Sequence, residues 1–220
     1  MASSCKLKSS SRPRLYHLHV TAISAFILAG GKSSRMGADK AFLEFGGRTL
    51  LARALELATT AAESVAIVGD PAKFAEFAPA IADIFPVHGP LAGIHAALLR
   101  SETELNLMLA VDLPFLDDRL LKYVVAQAEC SSALVAVPFV SGHYQPLCAV
   151  YRKAFASLAE EALAQGRNKI DALFPGIPVR VIDEKELANA GCNPAALRNV
   201  NTPEEWEQTK RELESRAHHL

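Results

Sequence analysis

Four short runs, Ser24–Leu28, Ser64–Val68, Leu105–Ala110 and Ala133–Val137, are almost continuously apolar. A strand with one face in water alternates polar and apolar residues. Runs this uniform need cover on both faces, the condition of a mainly parallel sheet packed between helices. The segments between them, Thr49–Ala62, Leu91–Leu99 and Asp117–Ala128, space their apolar residues nearer the helical period. Later come a strand over Tyr144–Tyr151, a helix over Lys153–Gln165 and a short strand over Val179–Ile182. A terminal helix over Pro203–Arg216 closes the series, with Asn201 or Thr202 as its cap before Pro203. The alternation predicts an α/β fold, a three-layer α/β/α sandwich around a mainly parallel twisted sheet. Half of the 220 residues are apolar, enough to fill one core over residues 23–220. In such folds ligands sit beyond the carboxyl ends of the strands.

The first of those ends is chemically distinctive. Ile27-Leu28-Ala29-Gly30-Gly31-Lys32-Ser33-Ser34-Arg35-Met36-Gly37-Ala38-Asp39-Lys40 follows an apolar strand with glycines, hydroxyls and basic residues. Glycines let main-chain N–H groups turn toward an anion without a Cβ in the way. Lys32, Arg35 and Lys40 stand against the single Asp39, a surplus suited to a triphosphate. Two familiar phosphate loops are excluded. Phe26 occupies the place of the first glycine of a Walker A loop, and the spacing Gly-x-Gly-x-x-Gly is absent. As composition alone, the loop also reads as an ordinary surface turn.

Two further places carry chemistry. In Leu109-Ala110-Val111-Asp112-Leu113-Pro114-Phe115 a carboxylate follows a buried strand, an expensive position unless the acid is solvated or meets a cation. Mg²⁺ bound with a nucleotide takes one or two protein carboxylates and completes its shell with phosphate and water. Asp112 suits that role; the competing reading is a cap for the helix near Asp117. In Gly89-Pro90-Leu91-Ala92-Gly93-Ile94, Pro90 presets a helix start and the glycines clear space around it. That turn enters a helix in any case, and its N–H groups could also face an anion. Asp83 precedes the turn as a solvated acid or an acceptor for a base. Arg167 and Lys169 are either solvated or anion-binding.

Composition removes several classes of function. Lys and Arg total 23 against 24 Asp and Glu, so neither a nucleic acid nor a membrane surface is attracted over long range. The four cysteines, Cys5, Cys130, Cys148 and Cys192, show no metal or redox spacing, which fits a reducing, cytoplasmic setting. No apolar run approaches a bilayer span. Residues 1–22 are rich in Ser, Lys and Arg and contain no acid. They read as a disordered or mis-annotated tail, with Val20 as an alternative start, rather than a targeting segment, whose apolar region is missing.

The string Leu-Ala-Gly-Gly-x-Ser-x-Arg-Met-Gly-x-Asp-Lys resembles the signature loop of the molybdenum cofactor guanylyltransferases. From Ile23 to the last helix the resemblance continues in order: Gly-Pro-Leu-Ala-Gly, Asp-x-Pro, a Gln-Pro-Leu strand, and Asn199-Val200-Asn201-Thr202-Pro203. It implies a Rossmann-like nucleotidyltransferase that moves GMP from GTP to molybdenum-bearing molybdopterin, with Mg²⁺ as cofactor. Carried over residue by residue, it implies GTP contacts from Leu28, Ala29, Gly30, Gly31, Lys40, Asp83 and Asp112. Arg35, Lys40 and Asp112 become the catalytic groups, with Asp112 on the metal. Gly89, Gly93, Asn199 and Asn201 fall on the pterin side. Other cofactor-synthesis proteins or the molybdoenzymes supplied are the implied partners. One departure is Val68, where the family often has Asn; main-chain contact or Asp70 would have to substitute. Relatives that use CTP tend to show Leu-Ala-Ala-Gly at the first loop, so Leu-Ala-Gly-Gly favours GTP.

Overall fold

A computed structural model of the protein describes residues 22–30, 39–82 and 89–217. The expected tail, Gly31, Arg35 and Asp83 lie outside the described residues. The chain runs β1 (Ile23–Leu28), a hairpin of β2 (Glu44–Phe45) and β3 (Arg48–Thr49), α1 (Leu50–Thr59), β4 (Ser64–Val68), α2 (Pro71–Phe74) and β5 (Ala80–Ile81). Then come α3 (Pro90–Arg100), β6 (Leu105–Ala110), α4 (Asp118–Glu129), β7 (Val135–Val140), β8 (His143–Tyr144) and β9 (Cys148–Arg152). The remainder is α5 (Phe155–Ala164), β10 (Val179–Asp183), α6 (Glu184–Asn189) and α7 (Pro203–Ala217). Short 3₁₀ turns lie at Lys40–Phe42, Asp171–Gly176 and Pro194–Leu197.

The main sheet is ordered β10-β7-β9-β6-β1-β4-β5, with β8 paired to β7. β1 pairs in parallel with β4 on one side and β6 on the other. The antiparallel member of the path is β9, between β6 and β7. The chain first leaves β1 toward β4 and later returns to β1's other edge. The carboxyl end of β1 is therefore the switch point where a crevice opens.

Alternation along the strands sorts side chains into two cores. Ile23, Ala25 and Ile27 of β1 and Leu105, Leu107 and Leu109 of β6 face one side, with Leu51 of α1, Leu121 of α4 and Trp206 of α7. Phe26 of β1 and Met108 of β6 face the other, against Leu91 and Ile94 of α3 and Phe155 of α5. These are the two covered faces that the uniform apolar runs required.

The expected strand over Tyr144–Tyr151 is instead broken. Ser141 (φ 53°) and Gly142 (φ 76°) are both left-handed, the geometry of a two-residue hairpin turn, and this pairs His143–Tyr144 with β7. Pro146 has no N–H to give a ladder, and Cys148 N donates to Gln145 O at 3.0 Å, closing a turn before β9. Strand β7 starts later and runs further than Ala133–Val137 suggested. Helix α6 follows a capping box, Asp183 with Glu186.

Candidate active site

Three side chains from distant parts of the sequence meet at the crevice. Asp39 caps the turn Lys40–Phe42 by accepting from Ala41 N at 3.0 Å, and this aims Lys40 into the site. Lys40 Nζ donates to Asp112 Oδ2 at 2.8 Å and to Asn201 Oδ1 at 2.8 Å. Asp112 lies just beyond the end of β6, and its main-chain oxygen accepts from Val200 N at 3.1 Å. The helix-cap reading of Asp112 is excluded, because Asp117 caps α4 itself through Leu120 N.

Asn201 is fixed from behind. The Glu205 carboxylate accepts from Asn201 N at 2.6 Å and from Thr202 N at 3.2 Å, while Thr202 Oγ1 accepts from Glu205 N. Thr202 is thus the cap of α7, and Asn201 is left to face Lys40. Trp206 packs against Phe45 of the β2–β3 hairpin, ring centroids 6.0 Å apart, which seats the start of α7 beside the site. Glu205 was not anticipated, although Thr-x-x-Glu is a capping-box pattern.

Charge within the site is balanced internally. Lys40 and Asp112 are 17 % and 15 % exposed at their side chains, so each neutralises the other away from bulk water. Asp112 Oδ1 is buried and has no hydrogen-bond partner, a costly state for a carboxylate oxygen. That orphaned oxygen, with its neighbour held only by an ammonium, is the donor chemistry a hard divalent cation takes. Among the described residues no group of three His, Cys, Asp or Glu could hold a metal alone. The residues present fit a cation shared with phosphate oxygens.

The strand end differs from the expectation in one respect. Ala29 N and Gly30 N both donate to Val68 O at 3.1 Å. The N–H groups of Ala29 and Gly30 assigned to the nucleotide are therefore engaged within the protein. Val68 does act through its main chain, but it holds the loop. Asp70, the alternative to the missing Asn, caps α2 with one carboxylate oxygen, which accepts from Ala72 N at 3.0 Å. Leu28 and Ala29 are half-buried and Gly30 exposed at the mouth of the crevice.

On the side assigned to the pterin, Gly89 caps α3 with φ 72°, a left-handed conformation that favours glycine. Gly93 is buried in the second turn of that helix. Gly89 and Pro90 line a cleft of about 510 Å³ with Tyr144, Leu147, Asn168 and Lys169. Lys169 is paired with Asp171 at 3.5 Å, and Arg167 is exposed. Asn199 is half-buried. Asn201, placed on the same side by the resemblance, instead touches the lysine assigned to the nucleotide phosphates, which puts it where the two halves of the site meet.

Residues 25–176 match the family model described as the MobA-like NTP transferase domain. The molybdenum cofactor guanylyltransferase of Desulfosudis oleivorans is 34 % identical over 192 residues, covering 86 % of this chain and 95 % of that protein. The chain belongs to this guanylyltransferase family. The crystal structure of molybdopterin-guanine dinucleotide biosynthesis protein A from Archaeoglobus fulgidus superposes with a TM-score of 0.76 at 25 % identity, over 87 % of this chain and 99 % of that one. A CMP:2-keto-3-deoxy-manno-octonic acid synthetase complexed with CTP, 14 % identical with a TM-score of 0.67 over 91 % of this chain and 100 % of that one, shares the fold alone. In this guanylyltransferase the family match spans β1 to the turn at Asp171–Gly176, so Lys40 and Asp112 fall inside it and Asn201 beyond it.

Proposed function

We propose that the protein transfers GMP from GTP to the terminal phosphate of molybdenum-bearing molybdopterin, giving the guanine dinucleotide cofactor and pyrophosphate. The observation that carries this reading is the cluster of Lys40, Asp112 and Asn201 at the switch point of the sheet. Family membership narrows it to the nucleotide and the pterin.

Such a transfer asks little covalent work of the protein and much positioning. The pterin phosphate attacks the α-phosphorus in line with the departing pyrophosphate. A phosphate nucleophile is already ionised near neutral pH, so no general base is needed. Lys40 neutralises charge on the phosphates once it leaves Asp112, and Arg35 supplies a second cation from the first loop. Asp112 would hold Mg²⁺, which when bound would polarise phosphoryl oxygens. Asn201 keeps the Lys40 ammonium oriented while its carboxylate partner changes. Gly31, the carbonyls of the first loop, and Asp83 receive the guanine end, and Gly89, Gly93 and Asn199 border the pterin.

We place the reaction in the cytoplasm, the reducing setting that the cysteine pattern fits. Cofactor-synthesis partners or recipient molybdoenzymes would deliver the pterin and accept the product. Pyrophosphate release with GTP, CTP and ATP in parallel tests the reading. Guanine's N1–H and N2–H₂ donors find acceptors that adenine would leave unpaired, at about 1–3 kcal/mol each, so GTP should be preferred at least tenfold. Equal use of CTP would make the protein a cytidylyltransferase, and absence of turnover with all three would make it a nucleotide-binding accessory.

A further inference from the structure

The segment between β4 and β5 carries a lysine for which the reaction supplies no role. Lys73, near the end of α2, forms an ion pair with Asp39. Its ammonium also sits 5.2 Å from the ring centroid of Phe42 and 4.7 Å from that of Phe74. Those two rings are stacked, with centroids 6.1 Å apart and planes inclined by 17°. Both partners of Lys73 belong to or support one short piece of chain. Asp39 caps the turn Lys40–Phe42 with its other carboxylate oxygen, and Phe42 ends that turn.

A turn of three residues has few internal hydrogen bonds to define it, here Phe42 N to Asp39 O at 3.1 Å and Leu43 N to Lys40 O at 3.2 Å, with Ala41 buried in the core. What fixes its orientation must come from outside. Phe74 is buried beneath, at 1 % exposure, and lies close against Gly69 at the end of β4. Lys73 joins this floor to the turn by charge on one side and by a cation over two rings on the other. Residue 40 follows the cap directly, so a tilt of the turn is passed at once to the Lys40 ammonium, whose contacts with Asp112 and Asn201 are both 2.8 Å.

We infer that Lys73 is a positioning residue, a brace from α2 that sets the Asp39–Lys40 turn and thereby places the Lys40 ammonium on the triphosphate. The inference rests on the assignment of Lys40 to the nucleotide phosphates. Lys73 itself touches no reacting atom.

The test is a set of variants in the full chain. Lys73→Met keeps length and apolar contact while removing charge, and should lower kcat/KM for GTP about fivefold, mostly through KM. Lys73→Arg should restore the value to within twofold, because a guanidinium can pair with the carboxylate and lie over the rings. Asp39→Asn keeps an oxygen for the cap but removes the charge, and in that background Lys73→Met should add a smaller loss in KM than in wild type, the part owed to the rings. A crystal structure of Lys73→Met gives a readout independent of turnover: the Lys40–Asp112 contact should lengthen or be lost. Kinetics within twofold of wild type for Lys73→Met, failure of Lys73→Arg to rescue, multiplying losses with Asp39→Asn, or an unchanged Lys40–Asp112 contact would each overturn the brace. Wild type that transfers no GMP, while the crystallographic coupling holds, would refute the assigned reaction and leave the brace standing.

Discussion

Asp112→Asn separates chemistry from architecture at this site. The substitution preserves shape and leaves in place the main-chain oxygen that accepts from Val200. It deletes one negative charge, 2.8 Å from Lys40 Nζ and 15 % exposed. At an effective dielectric of about 20 a pair at that separation attracts by about 6 kcal/mol, but the desolvation of both groups offsets most of it. The site lies between the exposed and buried limits, so the net loss of stability should be about 1–2 kcal/mol. For a chain of this size that lowers the thermal midpoint by about 3–6 °C. Turnover should fall far more, at least about 100-fold, the usual effect of losing one electrostatic stabiliser. Pyrophosphate release from GTP with molybdenum-bearing pterin measures the second quantity, and scanning calorimetry the first. Turnover within about tenfold of wild type would remove Asp112 from the metal site. A midpoint lowered by more than about 10 °C would show that the carboxylate is chiefly architectural, and the reasoning would fail in the other direction.

Lys40→Ala should weaken GTP binding and turnover together, because its ammonium serves ground and transition states alike; Lys32→Ala should do less, and equal damage in titration calorimetry would mean the motif has been misplaced. Gly69→Ala brings a Cβ to 2.8 Å and 2.9 Å from two atoms of the Phe74 ring, an overpacking worth about 1–3 kcal/mol, so the thermal midpoint should drop by several degrees; an unchanged midpoint would show that the ring has room to move. Burial pushes the Cys148 thiol up to about 12 from 9.0. Its neutral form is the one favoured by folding, so this contribution is whole below about pH 9 and is lost as pH rises toward 12, with a slope of up to about 1.4 kcal/mol per pH unit. Denaturant titrations from pH 8 to 11 should show that fall, and Cys148→Ala should lessen it, the remainder coming from Tyr151 and Cys192, whose pKa values burial also raises; a wild-type profile without slope would refute the account.

What could be read from the chain, and what could not, divides along physical lines. The layered architecture was legible because Ser64–Val68 and Leu105–Ala110 are each apolar at all but one position, and both occur as strands with those limits. Asp112 stood out as a candidate because an acid after a buried strand is costly without a cation, and Lys40 because of the basic surplus of the first loop and the family resemblance. Their contact with each other was not legible, since nothing local encodes a meeting across the sheet. The break at Pro146 was available in principle from the missing N–H, but β-branched and aromatic neighbours outweighed it. Helix α6 escaped notice because six residues carry too little periodicity, although Asp183 and Glu186 announce its start. The use of Ala29 N and Gly30 N on Val68 O depends on which strand lies alongside, a fact of topology. The engagement of Asn201 with Lys40 depends on where α7 docks, which is decided by Trp206 finding Phe45.

The contact between Lys40 and Asn201 joins residues 161 apart in sequence, and this has a consequence for the order in which the molecule is made. Ribosomes extend a chain at about 5–20 residues per second. Every strand of the main sheet precedes Asn201 in that process, so the two cores can begin to close around Lys40 and Asp112 seconds before their third partner exists. The cluster around Lys40 is complete only late in synthesis, when α7 docks. A polypeptide that stops after β10 would lack Asn201 and also Leu187, Leu197, Val200 and Trp206, which fill one of the two cores. In the full chain that last stretch closes a core and completes the contacts of Lys40 together.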